Sequence, residues 1–324
     1  MLAPDAFEGV VARACLAPST HNTQPARWAL RGEEILIGAD AGAYLPVGDP
    51  TARDAGLSCG AAAEATVLAL SAMEVEAAVS THWNDEDLDT LGGARLAARL
   101  RLETGGEADP LHVQLENRFT WRGVFGAGPD LQEWNRPDAK LVTDQGLISW
   151  LATLNDEVSH EIMGGAAFRH ELLAWMRLNA SHPRYTADGL SREALRMSGL
   201  EAFAAPVALG PLWRLLASFG LSKRLTSEAE ATLTAPVIAC FHRPANEDAV
   251  ASGRAYLRMC LEAASLGLAG WPMAALSDHP RSNAQICERL GLPDGNRLIQ
   301  MIRFGIPTGQ RPPRARRPLA ELIL

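Results

Sequence analysis

Ala17-Pro18-Ser19-Thr20-His21-Asn22-Thr23-Gln24-Pro25-Ala26-Arg27-Trp28 is the stretch on which the reading of this chain turns. In a sequence that is 47% hydrophobic, Ser19 to Gln24 is an unbroken run of side chains that hydrogen-bond. Such a run has no apolar face to bury, so it is neither a core strand nor an amphipathic helix, and Pro18 and Pro25 punctuate a loop. Pro25 biases Gln24 toward an extended conformation and removes one backbone donor from any ladder. A rigid, outward-facing comb of amides and hydroxyls is expected. Asn22 and Gln24 each carry a donor and an acceptor on one planar group, which suits a heterocycle edge with alternating C=O and N–H groups, such as an isoalloxazine or a pyrimidine. Spacing alone serves equally well for an ordinary helix-to-strand connection rich in turn formers.

Outward from the loop, Phe7, Val10, Val11, Ala14 and Cys15 recur at helical spacing, which predicts a helix over 5–16. Arg27–Leu30 and Ile35–Ile37 flank a hairpin turn. A helix is predicted over 51–73, capped by Asp49 or Thr51 and crowded with Ala and Gly, so that another helix can approach it closely. Inside it, Gly56-Leu57-Ser58-Cys59-Gly60 satisfies the Gly-x-Ser-x-Gly pattern of a nucleophile elbow, but no strand precedes the serine, and Ser58 is read as structural. Strands are expected at 75–79 and 95–102, then helices near 144–163 and 165–178, a strand at 236–241 and a long helix over 249–268. Aligning Gly60 with Gly253 lays the two small-residue helices over one another. Residues 297–304 read as a buried strand, and Leu319–Leu324 as a further strand after Pro318.

The whole chain, at 324 residues and 34.8 kDa, has ample core-forming residues. Its net charge of −8 argues against a global attraction to nucleic acid or to an anionic membrane. No apolar run approaches a membrane span, and Asp5 and Glu8 break the plan of a signal peptide, so a cytoplasmic protein is expected. Five cysteines without a Cys-x-x-Cys pair predict no disulfide framework. His170-Glu171 has Ala174 where a zincin needs histidine; no metal site is expected.

Two basic clusters remain. Arg118-Phe119-Thr120-Trp121-Arg122 sets two guanidinium groups and a hydroxyl two residues apart, a set able to donate several charge-assisted hydrogen bonds to a phosphate dianion. The plain alternative is a pair of surface arginines beside core aromatics. Arg311-Pro312-Pro313-Arg314-Ala315-Arg316-Arg317-Pro318 reads as a solvated basic tail or as a nucleic-acid patch, and the overall acidity speaks against the second.

Ala-Pro-Ser-x-His-Asn-x-Gln-Pro resembles the flavin-contacting loop of the nitroreductase family of FMN proteins, and the chain as a whole resembles its tandem, Acg-like branch. The resemblance implies an α+β fold in which two related halves, 1–105 and 106–324, form a pseudo-dimer of mixed β-sheets surrounded by helices and hold one FMN between them. In single-domain relatives the loop comes from one subunit and the phosphate-binding arginines from the other, so the second half should carry the arginines. Arg118, Thr120 and Arg122 resemble the family's Arg-x-Ser-x-Arg motif, and Arg314 and Arg316 match its basic pair before a proline. Gly270-Trp271-Pro272-Met273-Ala274-Ala275 resembles the segment whose backbone approaches the flavin. The implied flavin-edge contacts are Pro18, Ser19, Thr20, Asn22 and Gln24, with Trp271, Pro272 and Met273. No catalytic side chain is required, because the flavin carries the electrons.

The implied activity is hydride transfer from NADH or NADPH through FMN to a nitroaromatic, quinone or similar acceptor. The other role implied is FMN storage or sequestration under a lid, for which residues 180–235 are the candidate lid. A packed external helix near 211–221 is the simpler reading of that segment. A monomer acting as a pseudo-dimer, or a homodimer of such chains, would satisfy the resemblance.

Overall fold

The computed structural model describes residues 2–85, 90–129, 131 and 134–324. It is an α+β structure with two main sheets. The first runs in the order Ala26–Arg31, Glu34–Ala39, Ala94–Thr104, Val75–Thr81, antiparallel throughout. Arg31 pairs with Glu34, and Gly32 supplies the positive φ of 63° that the two-residue turn requires. In Ala94–Thr104, Ala98 and Leu100 are fully buried and alternate with Arg99 and Arg101, the period-2 pattern of a sheet with one covered face.

The second sheet runs Ala269–Pro272, Asn296–Pro307, Val237–Pro244, Ala139–Val142, again antiparallel. Among the described residues, parallel pairing is confined to Met176–Arg177 with Leu190–Ser191 and to two isolated bridges, Trp28 with Ile323 and Thr120 with Gly270. The mixing expected of the sheets therefore lies in these small stitches.

Two helices join the sheets face to face. Arg53–Ser71 is buried on almost every side, which its run of Ala and Gly permits, and it crosses Ala249–Ser265. The contact is reciprocal: a Cβ added to Gly60 would lie 2.0 Å from the Val250 carbonyl oxygen, and one added to Gly253 would lie 2.1 Å from that of Leu57. Each glycine thus faces the carbonyl three residues before the other, as in a two-fold contact. Aligning Gly60 with Gly253 therefore found the two residues at one crossing. Around it Glu64, only 2% exposed, accepts from Arg254 at 2.8 Å and Arg258 at 2.7 Å, and Arg258 also reaches Asp109 at 2.7 Å.

Three sequence expectations shift. Asp49 serves the first long helix by accepting from Ala55 N at 2.9 Å, yet the N-cap position belongs to Ala52, at a φ of 55°, and not to Asp49 or Thr51. Leu319–Leu324 is not a strand: Pro318 opens a one-turn helix, Leu319–Leu322, that sinks Leu322 into the core beneath the first sheet, and only Ile323 bridges Trp28. The helix near 211–221 divides into Trp213–Ser218 and Leu221–Thr226, with Gly220 at a φ of 70° between them, after Gly199–Leu209 and before Ala229–Leu233. No helix among the described residues is long and apolar enough to cross a membrane.

Candidate functional site

The helix Pro4–Ala14 ends ahead of Pro18 and delivers the polar loop, whose Thr20–Asn22 forms a single 3-10 turn. Three of its residues have positive φ: His21 at 49°, Asn22 at 56° and Gln24 at 53°. Gln24 is thus left-handed where the following proline favours an extended residue. Non-glycine residues in this region cost on the order of 1–3 kcal/mol each and persist only where surrounding contacts over-determine them.

Those contacts come from the loop's own amides, which turn inward. Asn22 Nδ2 donates to the carbonyls of Gly189 at 3.2 Å and Ala315 at 3.1 Å, while its Oδ1 accepts from Arg316 Nη1 at 3.0 Å. Gln24 Nε2 donates to Ala187 O at 2.8 Å and its Oε1 accepts from Arg317 N at 3.0 Å. Ser19 Oγ accepts from Gln24 N at 3.0 Å. The expectation of an outward-facing comb is corrected for Asn22 and Gln24: their planar groups clamp the loop between segment 187–189 and segment 315–317. Thr20 reaches Asp54 at a long 3.4 Å.

The arginines of the second half converge on the same loop. Arg118 and Arg316 both donate to Leu16 O, at 3.1 and 3.0 Å. Arg122 donates to Ala194 O at 3.1 Å, and its charge bears on His21. Arg314 lies at the edge, donating to the carbonyls of Glu116 and Arg118. Thr120 bridges Gly270, and Trp121 N donates to Gly270 O at 3.1 Å, which joins the arginine motif to the strand carrying Trp271. Among the described residues, none of the guanidinium groups of Arg118, Arg122, Arg314 and Arg316 lies within 4.0 Å of a carboxylate.

Burial, with no ion-paired carboxylate, depresses these groups. Arg316 is pushed down to about 10 by desolvation, reinforced by the charge of Arg118. Arg122 also falls to about 10, through burial first and against the pull of Glu228, and burial lowers Arg118 as well. His21 is pushed down to about 4 by burial and by Arg122, against the opposing pull of Asp54, and is neutral near pH 7. Arg316 Nε is a buried donor with no partner. Arg118 and Arg316 side by side, with the orphaned Arg316 donor, make a donor set suited to a phosphate dianion.

Arg317 behaves differently. With Arg177 at 2.9 Å and Arg184 at 2.8 Å it surrounds Asp188, at 3.2 Å, a carboxylate only 2% exposed. Nothing but the i,i+4 spacing of Arg184 and Asp188 pointed to this hub in the sequence, yet it holds segment 186–189 against the loop. Also unforeseen is fully buried Arg303, whose guanidinium lies 3.8 Å from the centre of the Trp271 ring and pairs with Glu228. Met273 is buried with its N–H on Met301 O at 2.7 Å, leaving its side chain in the core, and Pro272 ends the strand. A third group joins Arg53 to Asp54 and Asp278, where burial and then the charge of Asp54 push Asp278 up to about 7.

Ser58, the elbow-like serine, lies within its helix and donates to Asp54 O at 2.7 Å, so it is no nucleophile. No group of three or more metal-ligating side chains occurs among the described residues.

Compared with known proteins, the chain matches no family model. It is 33% identical over 87 residues to two Mycobacterium tuberculosis proteins, from strains CDC 1551 / Oshkosh and ATCC 25618 / H37Rv, which carry the name NAD(P)H nitroreductase acg. The matched stretch covers 27% of this chain and 26% of those relatives. The chain thus spans about a quarter of the length of these relatives. Among solved structures, iodotyrosine deiodinase bound to FMN and 3-iodo-L-tyrosine aligns with 64% of this chain and 95% of its own, at 14% identity and a TM-score of 0.36. The FMN and NADPH-dependent nitroreductase NfnB from Sphigopyxis sp. strain HMH aligns with 67% of this chain and 98% of its own, at 17% identity and a TM-score of 0.36.

Proposed function

We propose that this chain is an FMN-binding oxidoreductase of nitroreductase type, with one FMN held between two related halves, 1–105 and 106–324. The observation that carries the proposal is the pair Arg118 and Arg316, part-buried side by side on Leu16 O at the foot of a strained polar loop and without an ion-paired carboxylate, with Arg122 acting on His21 of the same loop. A buried charge without a partner is costly, and a bound phosphate dianion supplies the missing counter-charge.

In this reading Arg118, Thr120, Arg122 and Arg316 hold the phosphate, with Arg314 at the rim. Pro18, Ser19 and Thr20 and the backbone of Trp271–Met273 border the ring system. Asn22 and Gln24 fix the loop's left-handed geometry through their amide bonds to both flanking segments. Neutral His21 keeps a further positive charge out of the cluster. When bound, FMN accepts a hydride from NADH or NADPH and delivers electrons to a nitroaromatic, quinone or similar acceptor.

Anaerobic mixing of the FMN-loaded protein with excess NADPH or NADH tests the activity. Bleaching of the flavin band within about seconds, followed by reoxidation on adding a nitroaromatic, is expected of an enzyme with an ordinary turnover number. A flavin bleached by dithionite but by neither nicotinamide would overturn the oxidoreductase reading and point to retention of FMN.

A further inference from the structure

Nine of the fifteen exposed large apolar side chains among the described residues fall between Gly199 and Leu233, so this segment concentrates the outward apolar side chains. Helix Gly199–Leu209 opens on a capping box, Ser198 with Glu201, and buries Ala202, Ala205 and Leu209 on one side. Its other side sets Leu200, Phe203 and Val207 at i, i+3 and i+7 toward solvent; Leu200 is 78% and Phe203 81% exposed. Phe219, between the next two helices, is 72% exposed. Patches of this kind on a folded protein mark interaction surfaces.

The lobe is fixed from beneath. Arg169 donates to Leu209 O at 2.8 Å, Met163 O at 2.6 Å and Gly164 O at 2.9 Å, and its guanidinium stacks 4.7 Å from the centre of the buried Trp213 ring. The outward apolar face is therefore held in place rather than left over from loose packing.

Its charge identifies the partner. From Gly199 to Ser227 the sequence contains three exposed cations, Arg214, Lys223 and Arg224, against one exposed carboxylate, the capping-box Glu201, in a chain whose net charge is −8. A second copy related by a two-fold axis would set this basic face against itself, an unfavourable juxtaposition. Side chains more than 70% exposed stand proud of the surface and do not line a groove for a peptide. A flat anionic lipid surface accommodates both features: leucine and phenylalanine enter the acyl boundary while cations meet lipid phosphates. We propose that the lobe 199–227 docks this protein peripherally on anionic bilayers.

The test uses the full chain in vesicle flotation, with phosphatidylcholine alone and with about one third phosphatidylserine. Binding to the anionic vesicles, weakened by salt, is expected, with little to phosphatidylcholine. Phe203→Ser with Phe219→Ser should abolish it, and Arg214→Gln with Lys223→Gln and Arg224→Gln should lower partitioning by about 100-fold. These sites are exposed, so circular-dichroism melts of the variants should match the parent. Failure of the parent chain to bind anionic vesicles would overturn the proposal, as would undiminished binding by both variants. So would a dimer in sedimentation velocity that the Phe203→Ser, Phe219→Ser pair dissolves, without vesicle binding: that result would assign the face to a second copy.

Discussion

Replacing Arg316 by glutamine separates two roles that the structure gives this residue. Its guanidinium holds the loop through Asn22 Oδ1 at 3.0 Å and Leu16 O at 3.0 Å, and it also sits charged and unneutralised beside Arg118. A fall from 12.5 to about 10 corresponds to ~3 kcal/mol of unfavourable environment for the charged form. Its charge-assisted hydrogen bonds return ~1.5 kcal/mol or more each. These terms largely offset one another, so Arg316→Gln should lower the stability of the FMN-free protein by only ~1–2 kcal/mol. FMN binding should suffer more: loss of one charged donor to the phosphate costs ~1.5–3 kcal/mol, a 10- to 100-fold rise in Kd. The assay is fluorescence titration of the FMN-free protein with FMN and, in parallel, with riboflavin, which has the ring but no phosphate. The variant should lose affinity for FMN while keeping its affinity for riboflavin. Equal losses for both ligands would refute the phosphate assignment and make Arg316 a strut of the loop; an unchanged FMN Kd would refute both roles.

Other consequences can be checked alongside. Gly60→Ala places a methyl 2.0 Å from the Val250 carbonyl oxygen and should cost ~3 kcal/mol or more in thermal unfolding. Gly9→Ala, in a helix and facing open space, should instead stabilise by ~0.5–1 kcal/mol. His21 is lowered from 6.5 to about 4, so the unfolded chain takes up its proton first as pH falls. Stability should therefore decline from pH 6.5 toward pH 4, by ~3 kcal/mol for this group, and His21→Gln should flatten that limb of the urea-unfolding profile. Asp188→Asn leaves Arg177, Arg184 and Arg317 without their shared carboxylate and should cost ~3 kcal/mol or more in stability, with weaker FMN affinity because the 187–189 clamp loosens. One chain should bind one FMN, measured as flavin absorbance per protein mass, since loop and arginines each occur once.

Much of this was legible because it depended on local pattern. The helices and strands around the loop follow from periodicity and prolines, while Arg118 and Arg316 meet Leu16 and Arg122 acts on His21 across more than 100 residues of sequence. The inward turn of Asn22 and Gln24 was not legible. A carboxamide looks the same in a sequence whether it meets a ligand or a carbonyl, and its partners Gly189, Ala187 and Ala315 lie more than 160 residues away. The pairing of Arg303 with Glu228, between a buried strand and a short helix, was likewise hidden, because no spacing rule links positions 75 residues apart. Leu319–Leu324 misled because its apolar content suits a strand, whereas the space beneath the first sheet accepts a single helical turn.

The glycine crossing also bears on how the chain is made. Residues 57–60 find their partners only at 250–253, 193 residues later. At a synthesis rate of ~5–20 residues per second the first long helix waits about 10–40 s before that partner is made. During that interval the first sheet has its strands but lacks Val250, Leu257 and Leu261, which complete its core, and the closing turn at Leu322 comes last of all. Nascent chains halted before residue 250 should therefore engage chaperones and yield to protease, and protection of Arg53–Ser71 should appear only after the second helix has left the ribosome.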